Sequence, residues 1–176
     1  LFAPFFRDAS TGYAGQESYY HLRMATYVSH GEVYGRDSAV VSESPYEFNP
    51  VHVFLIPFVI TVGPSLSSKI VPFVLGLLCA ALAAYVARDV FRKPWLFVAL
   101  LATSPLFIHL FSSITSEGFA IVLLLASIAT IRRKYVAPLF FGLFASISFV
   151  HAAIAVAIIL VCLPEYKKYS SVIVAV

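Results

Sequence analysis

The sequence predicts an all-α polytopic membrane protein, and three observations carry that expectation. Hydrophobic residues make up 60% of the chain and charged residues only 12%, against about 25% charged in soluble domains. Mean hydropathy is +0.89, too high for a chain that buries one core and wets the rest. From residue 50 onward the apolar residues gather into long runs separated by short knots of Lys and Arg, the pattern of successive membrane helices.

The first third differs. Before residue 50 lie three of the 12 Lys and Arg but six of the nine Asp and Glu, so this region is polar, acidic and without a run of spanning length. "YYHLRMATYVSH" places Tyr20, Met24, Tyr27 and Val28 at helical spacing, which predicts an amphipathic helix of about three turns with those residues inward. Gly31 and Gly35 end the pattern, and "SESPYEFNP" reads as a turn-rich loop. "LFAPFF" at the start resembles the tail of a helix and "SSVIVAV" at the end the start of one, so a piece of a longer protein is expected.

Crossing a bilayer takes roughly 20 apolar residues. Segment 51–63 has 13, carries Pro57, and is expected to lie in the interface or re-enter. Segments 70–87 and 94–111 have 18 each and 118–131 has 14; with flanking residues these predict spans near 70–88, 94–111 and 117–132. The 29-residue run 135–163 predicts a helical hairpin, 135–149 and 151–163, turning near His151, with a single tilted helix as the alternative; a further span starts at 170–176. The organisation is therefore an external region, 1–69, followed by a transmembrane bundle, 70–176.

Basic knots orient it. "RDVFRK" (88–93), "RRK" (132–134) and "KK" (167–168) belong on the cytoplasmic side. "SSITSE", without a basic residue, then faces out together with residues 7–69. Cys79 and Cys162 sit in apolar runs and read as small hydrophobes; Trp95 fits an interfacial aromatic belt.

In this topology the polar chemistry collects on the external side. Glu17, Tyr19, Tyr20, His21 and Arg23 fall within seven positions, Glu117 opens the fourth span, His109 lies one turn before the end of the third and His151 marks the hairpin turn. Arg23 offers a planar fork of donors for an anionic group, with His21 beside it. Glu17 and Glu117 can hold a divalent cation or act as a general base. Glu117 also suits a helix N-terminus on dipole grounds alone.

"ESYYHLRMATYVSHGEVYGRDS…SPYEFNPVHVFLIPFV" resembles the first external loop of GT-C membrane glycosyltransferases, closest to the oligosaccharyltransferase catalytic subunit and its archaeal relatives. Glu17, Tyr19, Tyr20, His21 and Arg23 match one run, and Tyr46, Asn49, Pro50 and His52 a later step. "ATSPLFIHLFSSITSEGFAIVLLLASIATIRRK" is similar to the family's third span, external loop and fourth span; Glu117 matches one acid of a paired motif, and Thr115 stands where the other would be. "FGLFASISFVHAA" resembles the turn between the next short spans.

The resemblance implies transfer of a sugar or oligosaccharide from a polyprenyl-phosphate-linked donor to an acceptor polypeptide or glycan, on the outer face of a prokaryotic, archaeal-like plasma membrane. It implies Glu17 and Glu117 as catalytic residues and ligands of Mg or Mn, with Tyr20, His21, Arg23, His52 and His151 contacting substrate. Membrane lipid is an expected partner and nucleic acid is not. Two rivals stand beside this reading: a transporter or flippase, whose polar residues would line a path, and a GT-C-like scaffold without activity, which Thr115 suggests.

Overall fold

The computed structural model describes residues 16–32, 49–88, 91–131, 136–148 and 152–153, and the described part is helical. Among the described residues seven helices follow one another: α1 (Gln16–Ser29), α2 (Pro50–Val62), α3 (Pro64–Ala87), α4 (Pro94–Thr103), α5 (Pro105–Leu110), α6 (Ser116–Ala129) and α7 (Val136–Ile147). His151, Tyr46, Cys162, the "RRK" and "KK" knots and the runs 154–163 and 170–176 lie outside the described residues.

Four of the helices begin at proline, whose fixed φ and missing N–H suit a first helical position. α3 is the spine. Its 24 residues reach about 36 Å at 1.5 Å per residue, and it alone among the described helices is long and apolar enough to cross a membrane. It starts at Pro64 rather than near residue 70, so Lys69 lies inside the helix. α2 is a 13-residue helix that retains Pro57 in its interior.

The segment expected as one span at 94–111 is instead two helices. Ser104 is extended (φ −68°, ψ 139°), because the ring of Pro105 disfavours helical backbone in the residue before it. Ser104 Oγ then accepts the N–H of Phe107 at 3.2 Å and caps α5. The break in the sequence is the Ser-Pro pair, which a count of apolar residues passes over.

The inward face of α1 also differs from the expected one. Ser18, His21, Leu22 and Ala25 are buried, together with Met24, whereas Tyr20 is 38% exposed and so faces outward. The spacing of 18, 21, 22 and 25 is that of a helical stripe, but half of it is polar. Polar residues can occupy a buried stripe only where partners meet them, and α2 and the turn before α6 supply those partners.

Three apolar clusters hold the helices. Leu22 and Ala25 of α1 meet Val51, Leu55 and Val59 of α2, Val71 of α3, Ile114 and Phe119. Cys79 of α3 meets Phe107, Phe111 and Val122. Ala120 and Leu123 of α6 meet Phe141 and Phe144 of α7, with Ala152 beyond. Ser127 ties the last pair further, its Oγ donating to the Ala137 carbonyl at 3.2 Å. α7 stops at Ile147, and the second half of the expected hairpin falls largely outside the described residues.

Gly63 alone separates α2 from α3, with φ 78° and ψ 160°, a region open essentially to glycine. A Cβ there would meet nothing within 4 Å, so strain, not collision, sets the cost of replacement. Gly63→Ala should therefore lose about 1–3 kcal/mol of stability, read as a lowered Tm in detergent. Gly63→Asn should do no better, because this is not the left-handed helical region that asparagine tolerates.

Candidate functional site

The beginnings of three helices meet at one corner beside the N-terminal half of α3. Asn49, the N-cap of α2, accepts the Val51 N–H at 3.0 Å through Oδ1. Its Nδ2 donates to Ser116 Oγ, in the first turn of α6, at 3.2 Å. Ser18, in the first turn of α1, accepts the N–H of Ile114, just before α6, at 2.7 Å. Each helix N-terminus carries roughly half a positive charge, so their convergence makes this corner electropositive before any side chain is considered.

Two imidazoles join the helices. His21 Nδ1 lies 3.0 Å from His52 Nε2, and His21 Nε2 makes a longer, 3.5 Å contact with Ser116 Oγ. A consistent run of donors goes from Asn49 to Ser116 to His21 to His52, each hydrogen bond being given by the earlier group. Tyr20 covers the pair from outside, its ring edge-on to His21 at 5.3 Å and to His52 at 5.9 Å.

Burial decides the charge of the pair. His52 is fully buried and His21 is 8% exposed, which disfavours the charged form. Desolvation lowers His21 to about 4, against an opposing attraction from Glu117. Desolvation, then the neighbouring His21, lowers His52 to about 3. Both are neutral at pH 7, and with both nitrogens of His21 engaged by His52 and Ser116 the pair braces the corner rather than presenting a cation.

Glu17 and Glu117 are both exposed, in the first turns of α1 and α6. Glu17 stands one turn before His21 on the same face of α1, and Glu117 is close enough to His21 to act on it electrostatically. Arg23 sits two positions past His21, on nearly the opposite side of the helix. There its Nε and Nη2 donate to Tyr27 Oη at 3.0 and 2.7 Å. The corner thus gathers Tyr20, His21, His52 and Glu117, with Glu17 on the same stripe, and turns Arg23 away. His109 is exposed on α5, where its carbonyl accepts from Ser112 Oγ at 3.0 Å.

Thr115, the residue at the position of the missing acid, has structural work. It is the N-cap of α6, its Oγ1 accepting the Gly118 N–H at 3.0 Å. A Cβ at position 118 would come within 3.1 Å of that oxygen and 3.2 Å of the Leu110 carbonyl, so glycine lets the cap close. Ser18 and Ser116 are the residues that sequence reasoning missed; the signal for Ser18 was the 18, 21, 22, 25 stripe, which mixes polar and apolar residues, and Ser116 had none.

For a divalent cation, no group of three His, Cys, Asp or Glu able to hold a metal occurs among the described residues. Two exposed carboxylates are nevertheless the hard oxygen donors Mg takes when substrate phosphate and water complete its shell. Comparisons with protein-family models, with curated proteins and with solved structures give no match.

Ser18→Ala should leave the Ile114 N–H buried without its acceptor and cost about 1–3 kcal/mol, again read from Tm. The histidines predict a pH dependence. In the unfolded chain each imidazole titrates near its ordinary 6.5, above its folded value, so the unfolded state binds more protons. Stability should therefore fall as pH drops below 6.5, by up to roughly 1.4 kcal/mol per pH unit per imidazole, until the folded values are passed. Thermal unfolding at pH 7.5 and pH 5 measures this, and His52→Gln should flatten the difference.

Proposed function

We propose that this chain carries the donor-binding corner of a GT-C-type membrane glycosyltransferase, which moves a sugar from a polyprenyl-phosphate-linked donor to an acceptor polypeptide or glycan. The observation that carries the reading is the convergence of the α1, α2 and α6 N-termini on a neutral histidine pair flanked by Glu117 and Glu17. Helix N-termini favour phosphate, and a lipid-linked phosphate rests at headgroup depth.

The position along α3 supports the same reading. The corner packs against Val71, and the exposed cations Arg88, Arg92 and Lys93 follow the far end of that helix. From residue 71 to residue 88 is about 26 Å at 1.5 Å per residue, so the two features would face opposite leaflets. With the basic knot inside, the corner is external in a multi-pass protein, and α2 rests in the outer interface without crossing.

In this mechanism the donor phosphate lies against the helix N-termini, and Tyr20 orients it by hydrogen bonding and ring contact, with His21 and His52 holding that ring in place. One carboxylate, Glu17 or Glu117, takes the acceptor's proton as the sugar's anomeric carbon passes from phosphate oxygen to acceptor. Both would hold Mg or Mn, which when bound neutralises charge on the departing phosphate. Arg23, on the other face of α1, would serve an acceptor or a more distant part of the donor.

A second reading, a GT-C-like scaffold that binds the donor without transferring it, is favoured by Thr115 serving as a helix cap where an acid would be. One experiment separates the two. In the full-length protein with a polyprenyl-phosphate-linked sugar and acceptor, Glu17→Gln and Glu117→Gln should each lower the transfer rate by on the order of 10²-fold or more, with helicity and Tm retained. Donor binding without any transfer in the unaltered protein would favour the scaffold. Transfer rates untouched by both substitutions would defeat the proposed site.

A further inference from the structure

A second feature lies between α3, α4, α5 and α6, away from the histidine corner. An apolar cavity of about 340 Å³ opens there, within the range of about 300–1,000 Å³ found for ligand sites. Buried Cys79, Ala83 and Phe107 form part of its wall, and Ala87, Phe91 and Phe97 continue it to the place where α3 ends. Between Cys79 and Ala87 the wall follows α3 for about 12 Å at 1.5 Å per residue. That run of wall along α3, here called the slot, is long enough to lie beside an extended segment of hydrocarbon chain.

The end of the slot is charged. Arg88 follows the wall residue Ala87, and Arg92 and Lys93 follow the wall residue Phe91; all three cations are exposed. Phe91, 48% exposed, is stacked on Phe97 at 5.1 Å with planes 12° apart, so an aromatic step joins slot to surface. The Arg88 guanidinium lies 3.9 Å over the ring of Tyr85, which is not a wall residue; two positions past Ala83 on the helix, Tyr85 faces away from the slot, so the cations left at its end are Arg92 and Lys93. α4 starts at the same place, and its N-cap, Lys93, makes no side-chain capping bond, so a positive helix end adds to these two. Against them the knot "RDVFRK" holds a single acid, Asp89.

An apolar slot that ends at a pair of cations has two halves that only an amphiphilic anion satisfies together. We infer that it binds an anionic phospholipid, with one acyl chain lying between α3 and α4–α6 and the phosphate at Arg92 and Lys93. A zwitterionic lipid fills the slot but brings its own cation to the knot, and a free phosphate ester meets the knot but leaves the slot empty. Basic pockets between membrane helices discriminate lipid headgroups in this way. The site is independent of sugar transfer, since no residue of it belongs to the histidine corner.

The test uses the full chain in detergent and three probes: dioleoyl phosphatidylglycerol, dioleoyl phosphatidylcholine and glycerol 3-phosphate. Phosphatidylglycerol should raise Tm by several degrees, phosphatidylcholine by less than half as much, and glycerol 3-phosphate not at all. The double variant Arg92→Gln/Lys93→Gln, on exposed side chains that leave the fold intact, should abolish the preference for phosphatidylglycerol over phosphatidylcholine. Ala83→Phe, which puts a ring into the slot, should shrink the response to both lipids. Equal stabilisation by the two lipids in the unaltered chain would overturn the proposal, as would a preference that persists in the double variant. A glycerol 3-phosphate effect matching that of phosphatidylglycerol would overturn it as well, by showing that the acyl chain is irrelevant.

Discussion

Desolvated hydrogen-bonding groups at the meeting of α1, α2 and α6 constrain the whole arrangement. Ser18, His21 and His52 are buried, and an unpartnered polar group in such a place costs about 1–3 kcal/mol. Each therefore fixes the position of something else: Ser18 the backbone at Ile114, His21 the ring of His52, and Asn49 the hydroxyl of Ser116. Among the described residues no buried side-chain nitrogen or oxygen is left without a partner. Apolar contacts among Leu22, Val51, Leu55 and Ile114 supply cohesion, but they would tolerate small slips in register. The hydrogen bonds do not, since a slip of one residue would strand several donors at once.

The two ends of α3 consequently follow different rules. Near Val71 the neighbours are directional and polar, while from Cys79 onward they are apolar and leave a cavity. Exposed apolar side chains such as Leu77, Leu78, Leu100 and Leu106 suit contact with hydrocarbon, where no hydrophobic penalty attaches to them. A helix in such surroundings gains specificity from its few polar contacts and from shape, because lipid tails are as apolar as leucine.

Much of this was legible in the chain. The 13 residues of α2 end where Gly63 and Pro64 stand, and the apolar run 118–131 became α6 with an acid in its first turn. The glycine at 31 closes the region of α1 as expected, with φ 81°. The failures have different causes. Tyr20, Met24, Tyr27 and Val28 were read as the inward stripe on hydrophobicity; Met24 is indeed buried, but Tyr20 faces outward, and α1 turns Ser18 and His21 inward because groups distant in sequence bond them. The break at Ser104 is local and was readable from Ser-Pro alone. Of the candidate site, Glu117 and the His21 region were visible as composition, but the pairing of His21 with His52 bridges 31 residues. No local pattern encodes a contact of that range.

The joint between α2 and α3 has a mechanical meaning. Two proline-started helices share one intervening residue, Gly63, and the Ser67 N–H and Oγ both donate to its carbonyl, at 3.0 and 2.7 Å. Such a joint has no slack. Any change in the tilt of α3 must therefore either swing α2 with it or bend the chain at that single glycine. His52 rides on α2, so the attitude of α3 is geared to the distance between the two imidazoles.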